Sequence, residues 1–207
     1  LASAGMSVVC LEGGKQFDVD TDLQKPNVYD ELKFDRHSDI FQNLSRETIT
    51  FRNKMSETAL PMRELGSFKP GEIVGGTAAH WGCNARRFLP YDFEIRSRMT
   101  ERHGKNFFPE DCTTQDWGVT YEELEPYYDQ FEHIYGVGGK AGNLDGEIQP
   151  GGNPFEGPRS REYPNPPTRR TPQGELFAKA AAELGYAPFQ GPAAAMTQDY
   201  TNLYKLR

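Results

Sequence analysis

The chain has 207 residues, a hydrophobic share of 36% and a formal net charge of −7, with 21 glycines and 15 prolines. That size suits one ordinary domain or a large piece of a bigger one, and the mix of residues points to a loop-rich chain with a modest core. Aromatic residues reach 12% and are spread along the length, which excludes a disordered class. The basic residues cluster only as pairs such as Arg86-Arg87 and Arg169-Arg170, which excludes nucleic acid as a partner; no apolar run approaches the length of a transmembrane segment.

Leu1–Ala4 reads as the end of a helix, closed by Gly5. Met6–Leu11 follows as a continuous apolar run of the doubly buried, parallel-strand type, ending on Glu12 with Gly13 and Gly14 behind it. The sequence is polar and mixed from Lys15 to about Lys69, with one predicted strand over residues 47–53. At residues 73–83 "IVGGTAAHWGC" sets two glycines before Thr77, His80 and Trp81. Residues 90–116 read as irregular and turn-rich.

The next stretch carries a helical stripe of Leu124, Tyr127, Tyr128, Phe131 and Ile134, predicted to face the core. Thr120 and Glu123 have capping-box spacing, and Pro126 suits a first turn better than a helix middle. Glu122-Glu123 reads as a solvated face. Residues 136–170 have no periodicity and are rich in Gly, Pro and Asn, so we read them as a long excursion over a surface. A helix opens at Thr171 with Pro172 in its first position, and closes at Gly185; residues 186–192 then return to a sheet or run beside it. Both ends of the sequence look cut.

Cys10, Cys83 and Cys112 are odd in number and lack metal-ligand spacing, so neither a disulfide framework nor a zinc site is read. His37, His103 and His133 have no partner pattern and receive no role.

Chemistry concentrates at two places. The order helix end, glycine, buried strand and Glu12 fits the second strand of a dinucleotide-binding unit, whose acidic residue holds the ribose hydroxyls. Gly75 and Gly76 permit backbone angles closed to other residues and let a flat or charged ligand approach. Thr77 adds a hydroxyl beside amides that form an anion-accepting concavity. Taken alone, Glu12 reads equally as a solvated residue after a strand, and Gly-Gly-Thr as a tight turn.

"EGG", "VGGTAAHW", "RFLPYDF" and "DWGVTYEELEPYY", in this order, resemble the glucose–methanol–choline flavoprotein oxidoreductases. Within them the chain is similar to the branch of gluconate, fructose and sorbitol dehydrogenase flavoprotein subunits, and to pyranose oxidase. The resemblance implies an α/β fold: an incomplete Rossmann-type FAD-binding domain, residues 1–14 and about 70–90, interleaved with part of an α+β substrate domain over about 91–207. It implies that Glu12 and Gly13 hold the adenosine side of FAD and that Gly75, Gly76 and Thr77 line its pyrophosphate and flavin side. His80, Trp81, Gly82, Cys83 and Asn84 then lie along the ring system. His80 has two readings, covalent attachment to the flavin 8α-methyl carbon, for which neutral imidazole is a competent nucleophile, or packing at the ring edge. Trp81 reads as a wall of the pocket and Cys83 as a small hydrophobe.

The implied activity is oxidation of a sugar, sugar acid or polyol by hydride transfer to flavin. Electrons would pass to a cytochrome c or quinone, with a small accessory subunit and a periplasmic, membrane-associated location. Two features depart from the pattern. Glu72 stands where a basic residue is expected, and the family's catalytic histidine lies beyond this chain, so no catalytic residue is nominated and the chain alone is expected to be inactive. Three alternatives stand beside this reading: a sugar oxidase using oxygen, a nicotinamide-dependent enzyme, and a non-catalytic truncated fragment.

Overall fold

The computed structural model describes residues 1–18, 40–46, 48–62 and 70–205. His37 and Glu47 lie outside them. The described chain divides into two compact units, Leu1–Gly82 and Cys83–Arg207. Its architecture is mixed helix and strand, and its strands form two-residue antiparallel pairs. The parallel Rossmann-type sheet expected from the resemblance is not formed among the described residues.

In the first unit a short 3-10 turn, Ala2–Ala4, ends at Gly5 in the left-handed region, φ 80°. Met6–Leu11 departs from expectation: it pairs with no described strand, and Val9 and Leu11 are 84% and 92% exposed. A buried parallel strand needs neighbours on both edges and cover on both faces. The apolar run supplies the signal for such a strand, but the described residues supply no such partners. Within the predicted 47–53 strand, β1 (Thr50–Phe51) pairs antiparallel with β2 (Leu60–Pro61), Thr50 facing Pro61 and Phe51 facing Leu60.

The ordered part of this unit is a small backbone weave. Lys15 bridges Ile73 in parallel, with the Val74 amide donating to the Lys15 carbonyl at 3.1 Å. On the other side Phe41 bridges Gly71, and the Glu72 amide reaches the Ile40 carbonyl at 2.7 Å. Ile40 and Ile73 are its buried apolar residues.

Among its described residues the second unit has three α-helices. The first, α1 (Ile95–His103), follows a 3-10 turn at Pro90–Glu94 inside the stretch read as irregular. Its sequence offers only Ile95 and Met99 as apolar spacing, too little to signal a helix. What opens it comes from elsewhere: Asp116 accepts the amides of Arg96 at 2.8 Å and Ser97 at 3.1 Å, acting as a helix cap from twenty residues downstream.

The second helix, α2 (Tyr121–Tyr135), has the expected capping box: Glu123 donates its amide to Thr120 Oγ1 at 3.2 Å, and its carboxylate accepts the Thr120 amide at 2.8 Å. Pro126 lies inside the helix rather than at its start. Its missing N–H costs one bond, the one that would reach the Glu122 carbonyl. Three side chains take up carbonyls at the far end: Asn165 on Gly136, Tyr200 on His133 and Asn202 on Ile134, each at 2.7 Å.

The stripe on α2 is also corrected. Its buried residues are Tyr121, Asp129 and Glu132, while Tyr127 and Phe131 are exposed. Tyr121, Glu125, Asp129 and Glu132 follow helical spacing as well as the tyrosines do, and this polar face turns inward because arginines wait there. Arg87 donates to both Glu132 oxygens at 2.9 Å, to Glu125 at 3.0 Å and to the Tyr121 hydroxyl at 3.1 Å. Arg159 bonds Glu132 from the other side and lies flat on the Tyr163 ring, 3.6 Å from its centroid. Asp129 takes a two-pronged bond from Arg161, both arms 2.7 Å. Burial works against the charge on Arg87, but the Glu132 carboxylate more than offsets it and holds the guanidinium protonated.

Residues 136–170 depart furthest from expectation. Part of the stretch forms the interior, where Val137 and Ala141 are fully buried with Tyr163, Arg159 and Asn165 beside them, while residues 145–148 and Phe155 are exposed as a surface excursion would be. A buried loop must find partners for its amides, and here carboxylates provide them. Glu162 accepts the Ala141 and Tyr163 amides at 2.6 and 3.1 Å, and Glu156 accepts those of Gly142 and Asn143. Burial raises the Glu156 carboxyl above its ordinary value in spite of those amides.

Single bridges order the backbone as Asn84, Ala193, Gly138 and Asn165, side by side. The return expected at 186–192 is completed there by residues 192–194. A hairpin, β3 (Asn143–Leu144) with β4 (Glu147–Ile148), extends from the loop. The third helix, α3 (Pro172–Glu183), opens as expected, Thr171 Oγ1 accepting the Gly174 amide at 3.1 Å. No helix of the described residues is long and apolar enough to cross a membrane.

Candidate functional site

The double-glycine bend is built by its neighbours. Gly75 takes φ 93° and Gly76 φ 56°, both in the left-handed region that favours glycine. Chain direction reverses there, the Gly76 amide closing onto the Ile73 carbonyl at 2.7 Å. A short 3-10 turn, Gly76–His80, carries the motif to Trp81, which is extended. Around both glycines a Cβ would meet no atom of the described residues within 4 Å, so among them one side of the bend is open.

Glu12 closes the arrangement. One carboxylate oxygen accepts the Gly14 amide at 2.8 Å, and the other accepts the Gly75 amide at 3.4 Å, across 63 residues of chain. The Gly14 bond, with those of Gly75 and Gly13, holds the Glu12 carboxyl below its usual range against desolvation. An ionised carboxylate offers about four acceptor positions, so two amides leave capacity for hydroxyl donors. An ionised acceptor next to an open glycine backbone fits a ribose and a flat ring system.

His80 packs edge-on against Phe41, ring centroids 4.9 Å apart. Thr77 Oγ1 accepts the Gly71 amide at 3.3 Å, which ties its hydroxyl into the bend. Trp81 is 36% exposed, and Gly82 has open space beside it.

The first unit therefore gathers Glu12 and Gly13 with the bend that Gly75, Gly76 and Thr77 form, and His80, Trp81 and Gly82 continue from it. Cys83 and Asn84 belong to the second unit. There Asn84 bridges Ala193, and the Cys83 carbonyl accepts the Ala194 amide at 2.7 Å. Cys83 has φ 57°, a conformation that costs a non-glycine residue energy and is often kept at functional positions.

Two glycines escaped the sequence reading. A Cβ at Gly14 would lie 2.3 Å from the Ile73 amide nitrogen, and one at Gly71 would lie 2.7 Å from the Gly76 carbonyl oxygen. Both let chain segments touch so that Glu12 reaches the bend. The paired Gly13-Gly14 was a visible signal, but sequence alone did not tell which of the two makes the approach.

No family model matches the chain. It is 41% identical over 207 residues to a gluconate 2-dehydrogenase flavoprotein of Pantoea cypripedii, covering 99% of this chain and 34% of that protein. It is 31% identical over 136 residues to a fructose dehydrogenase large subunit of Gluconobacter japonicus, 65% of this chain and 21% of that one. A paromamine 6'-oxidase of Streptomyces fradiae is 31% identical over 121 residues, 58% of this chain and 18% of its own. The chain thus spans about a third of the length of its 41%-identical relative.

The class to which these relatives belong is that of oxidoreductases, a flavoprotein among them by name. By this likeness the chain belongs to the glucose–methanol–choline type, in its sugar-dehydrogenase branch.

Proposed function

We propose that the chain is the flavin-binding part and an adjoining segment of an FAD-dependent dehydrogenase that oxidises a sugar, sugar acid or polyol. In this reading residues 1–14 and about 70–90 are FAD-binding elements of a Rossmann-type domain, and residues about 91–207 belong to connecting and substrate-domain segments. The observation that carries it is the Glu12 carboxylate on the Gly75 amide, 3.4 Å apart and 63 positions distant in sequence. That contact joins the two stretches that the resemblance assigns to one nucleotide.

FAD, when bound, supplies the hydride acceptor. The chain's own residues hold and shield it: Glu12 receives ribose hydroxyls, Gly75 and Gly76 leave the backbone bare for close approach, and Trp81 forms a wall. Electrons then go to a cytochrome c or quinone, with an accessory subunit at a periplasmic, membrane-associated site. A second reading, oxygen as acceptor, is favoured by the oxidase among the relatives; peroxide formed in step with sugar consumption selects it.

The test is flavin uptake. The protein is expected to show bound-flavin absorption, and Glu12→Gln is expected to release flavin while leaving the far-ultraviolet circular dichroism unchanged. A variant that keeps flavin as tightly as the parent overturns the role of Glu12. Acid precipitation distinguishes the two readings of His80: colour in the pellet that His80→Ala moves to the supernatant marks covalent attachment, and colour in the supernatant from the start marks packing.

A further inference from the structure

The buried charge network beside α2 has one loose end. The Arg159 side chain is 0% exposed, and its guanidinium carries five N–H donors. Nε donates to the Arg161 carbonyl at 3.2 Å, and Nη2 donates to Glu132. Nη1 is buried and makes no hydrogen bond with any described residue. The group facing it is Glu156 Oε2, 3.9 Å away.

Glu156 is half-used in the same manner. Its Oε1 accepts the Gly142 and Asn143 amides at 2.5 and 3.2 Å, while Oε2 accepts no hydrogen bond from a described residue. A separation of 3.9 Å is too long for a direct bond and suits two bonds through one intervening oxygen. Burial works against the Glu156 charge, and the amides and Arg159 do not fully offset it. A donor on Oε2 is what the ionised form lacks.

Beside this pair lies a cavity of about 210 Å³. Glu156 and Tyr163 both line it, and they are the side chains that flank Arg159, whose guanidinium sits 3.6 Å from the centre of the Tyr163 ring. Arg87 lines it too, with its own guanidinium committed to Glu125 and Glu132. The Glu156 side chain is 10% exposed, so the polar wall is an interior one. The volume is below that of pockets that take a cofactor or a drug-sized molecule, and it is ample for several waters.

We propose that this cavity is an internal hydration site, in which one ordered water bridges Arg159 Nη1 to Glu156 Oε2 and joins further waters along the cavity. The water oxygen accepts a guanidinium N–H, one O–H donates to the carboxylate, and the other continues to the next water. The two facing charges decide the occupant. A cation would meet the guanidinium and an anion the carboxylate, whereas a neutral molecule that both accepts and donates satisfies the two. Through it the ion network packed against α2 keeps a contact with solvent.

Two measurements on the purified protein test the site. A crystal structure is expected to show a compact peak of water density within about 3.2 Å of both Arg159 Nη1 and Glu156 Oε2. In solution, rotating-frame Overhauser spectra on isotope-labelled arginine are expected to give a water cross-peak at the Arg159 Nη1 protons. Its sign should be opposite to the diagonal, which separates it from chemical exchange. Glu156→Met keeps the side-chain length without the carboxylate and is expected to lose this cross-peak, with circular dichroism reporting that it is folded. Where that variant does not fold, the density and spectra of the parent decide alone. A direct Arg159–Glu156 bond, an ion or organic molecule at the bridging position, no density there, or a cross-peak that persists in Glu156→Met would each overturn the proposal.

Discussion

The glycine bend at residues 75–76 and the glycine loop at 136–170 use the same residue type for opposite purposes. At the bend, the missing side chain leaves space open and the backbone turns through angles favouring glycine, φ 93° and 56°. In the loop the space is filled by protein: a Cβ at Gly142 would sit 2.0 Å from the Asn153 carbonyl oxygen, and one at Gly152 would sit 2.3 Å from Ala141. The acidic residues divide in the same way. Glu12 is an exposed carboxylate with spare acceptor capacity, while Glu132 is spent on two buried guanidinium groups. Openness suits the flavin site proposed at the bend, and saturation suits a core.

The largest expected effect tests that division through the carboxylates. Glu132→Ala strands Arg87 and Arg159, whose side chains are 3% and 0% exposed. Removing one partner of a buried ion network costs about 3–5 kcal/mol. Urea unfolding is expected to show a loss of this size, whereas Glu12→Gln leaves the urea midpoint in place. Similar losses for both variants would erase the distinction between the regions.

Next in size come the glycines. Gly142→Ala forces a methyl group into the Asn153 backbone, an overpacking that costs about 1–3 kcal/mol. Gly75→Ala meets no atom of the described residues within 4 Å and loses only the left-handed preference, about 1–2 kcal/mol. The sharper contrast lies in binding: Gly75→Val is expected to lower flavin uptake by occupying the open side, and Gly142→Ala to leave uptake per folded molecule unaltered. Flavin absorption after gel filtration checks both.

This contrast also explains what the sequence made legible. The Thr120 and Thr171 caps could be read because each bond spans three residues. The bend could be read because a glycine pair permits the left-handed backbone angles that this turn takes. The buried loop could not, because its amides are satisfied by Glu156 and Glu162, acidic residues that composition assigns to solvent. The inward face of α2 was hidden for the same reason: Asp129 and Glu132 have helical spacing, but only their distant partners Arg161, Arg87 and Arg159 make that face the buried one. At Met6–Leu11 the difference ran the other way, since the run pairs with no described strand and Val9 and Leu11 are exposed. Met6–Leu11 has the composition of a buried strand, but burial is a property of neighbours.

Asp116 is the smallest case and the cleanest test of a contact invisible in sequence. The Ser97 hydroxyl first, then the Ser97 and Arg96 amides and the Arg96 charge, hold its carboxyl below the ordinary range against desolvation. A carboxyl whose folded value is depressed contributes stability that is present above its unfolded value, near 3.9, and lost as pH falls through the folded value. Asp116→Asn keeps one acceptor oxygen but removes the charge; Asp116→Ala removes both and leaves the first turn of α1 uncapped. A small drop in helical circular dichroism and thermal midpoint is therefore expected for Asn at neutral pH, and a larger one for Ala. Below the folded value the parent should converge on the Asn variant, because its own carboxyl is then neutral. If the two stay apart through the acid limb, the cap does not act through its charge, and α1 is held by packing along the chain rather than by a residue twenty positions away.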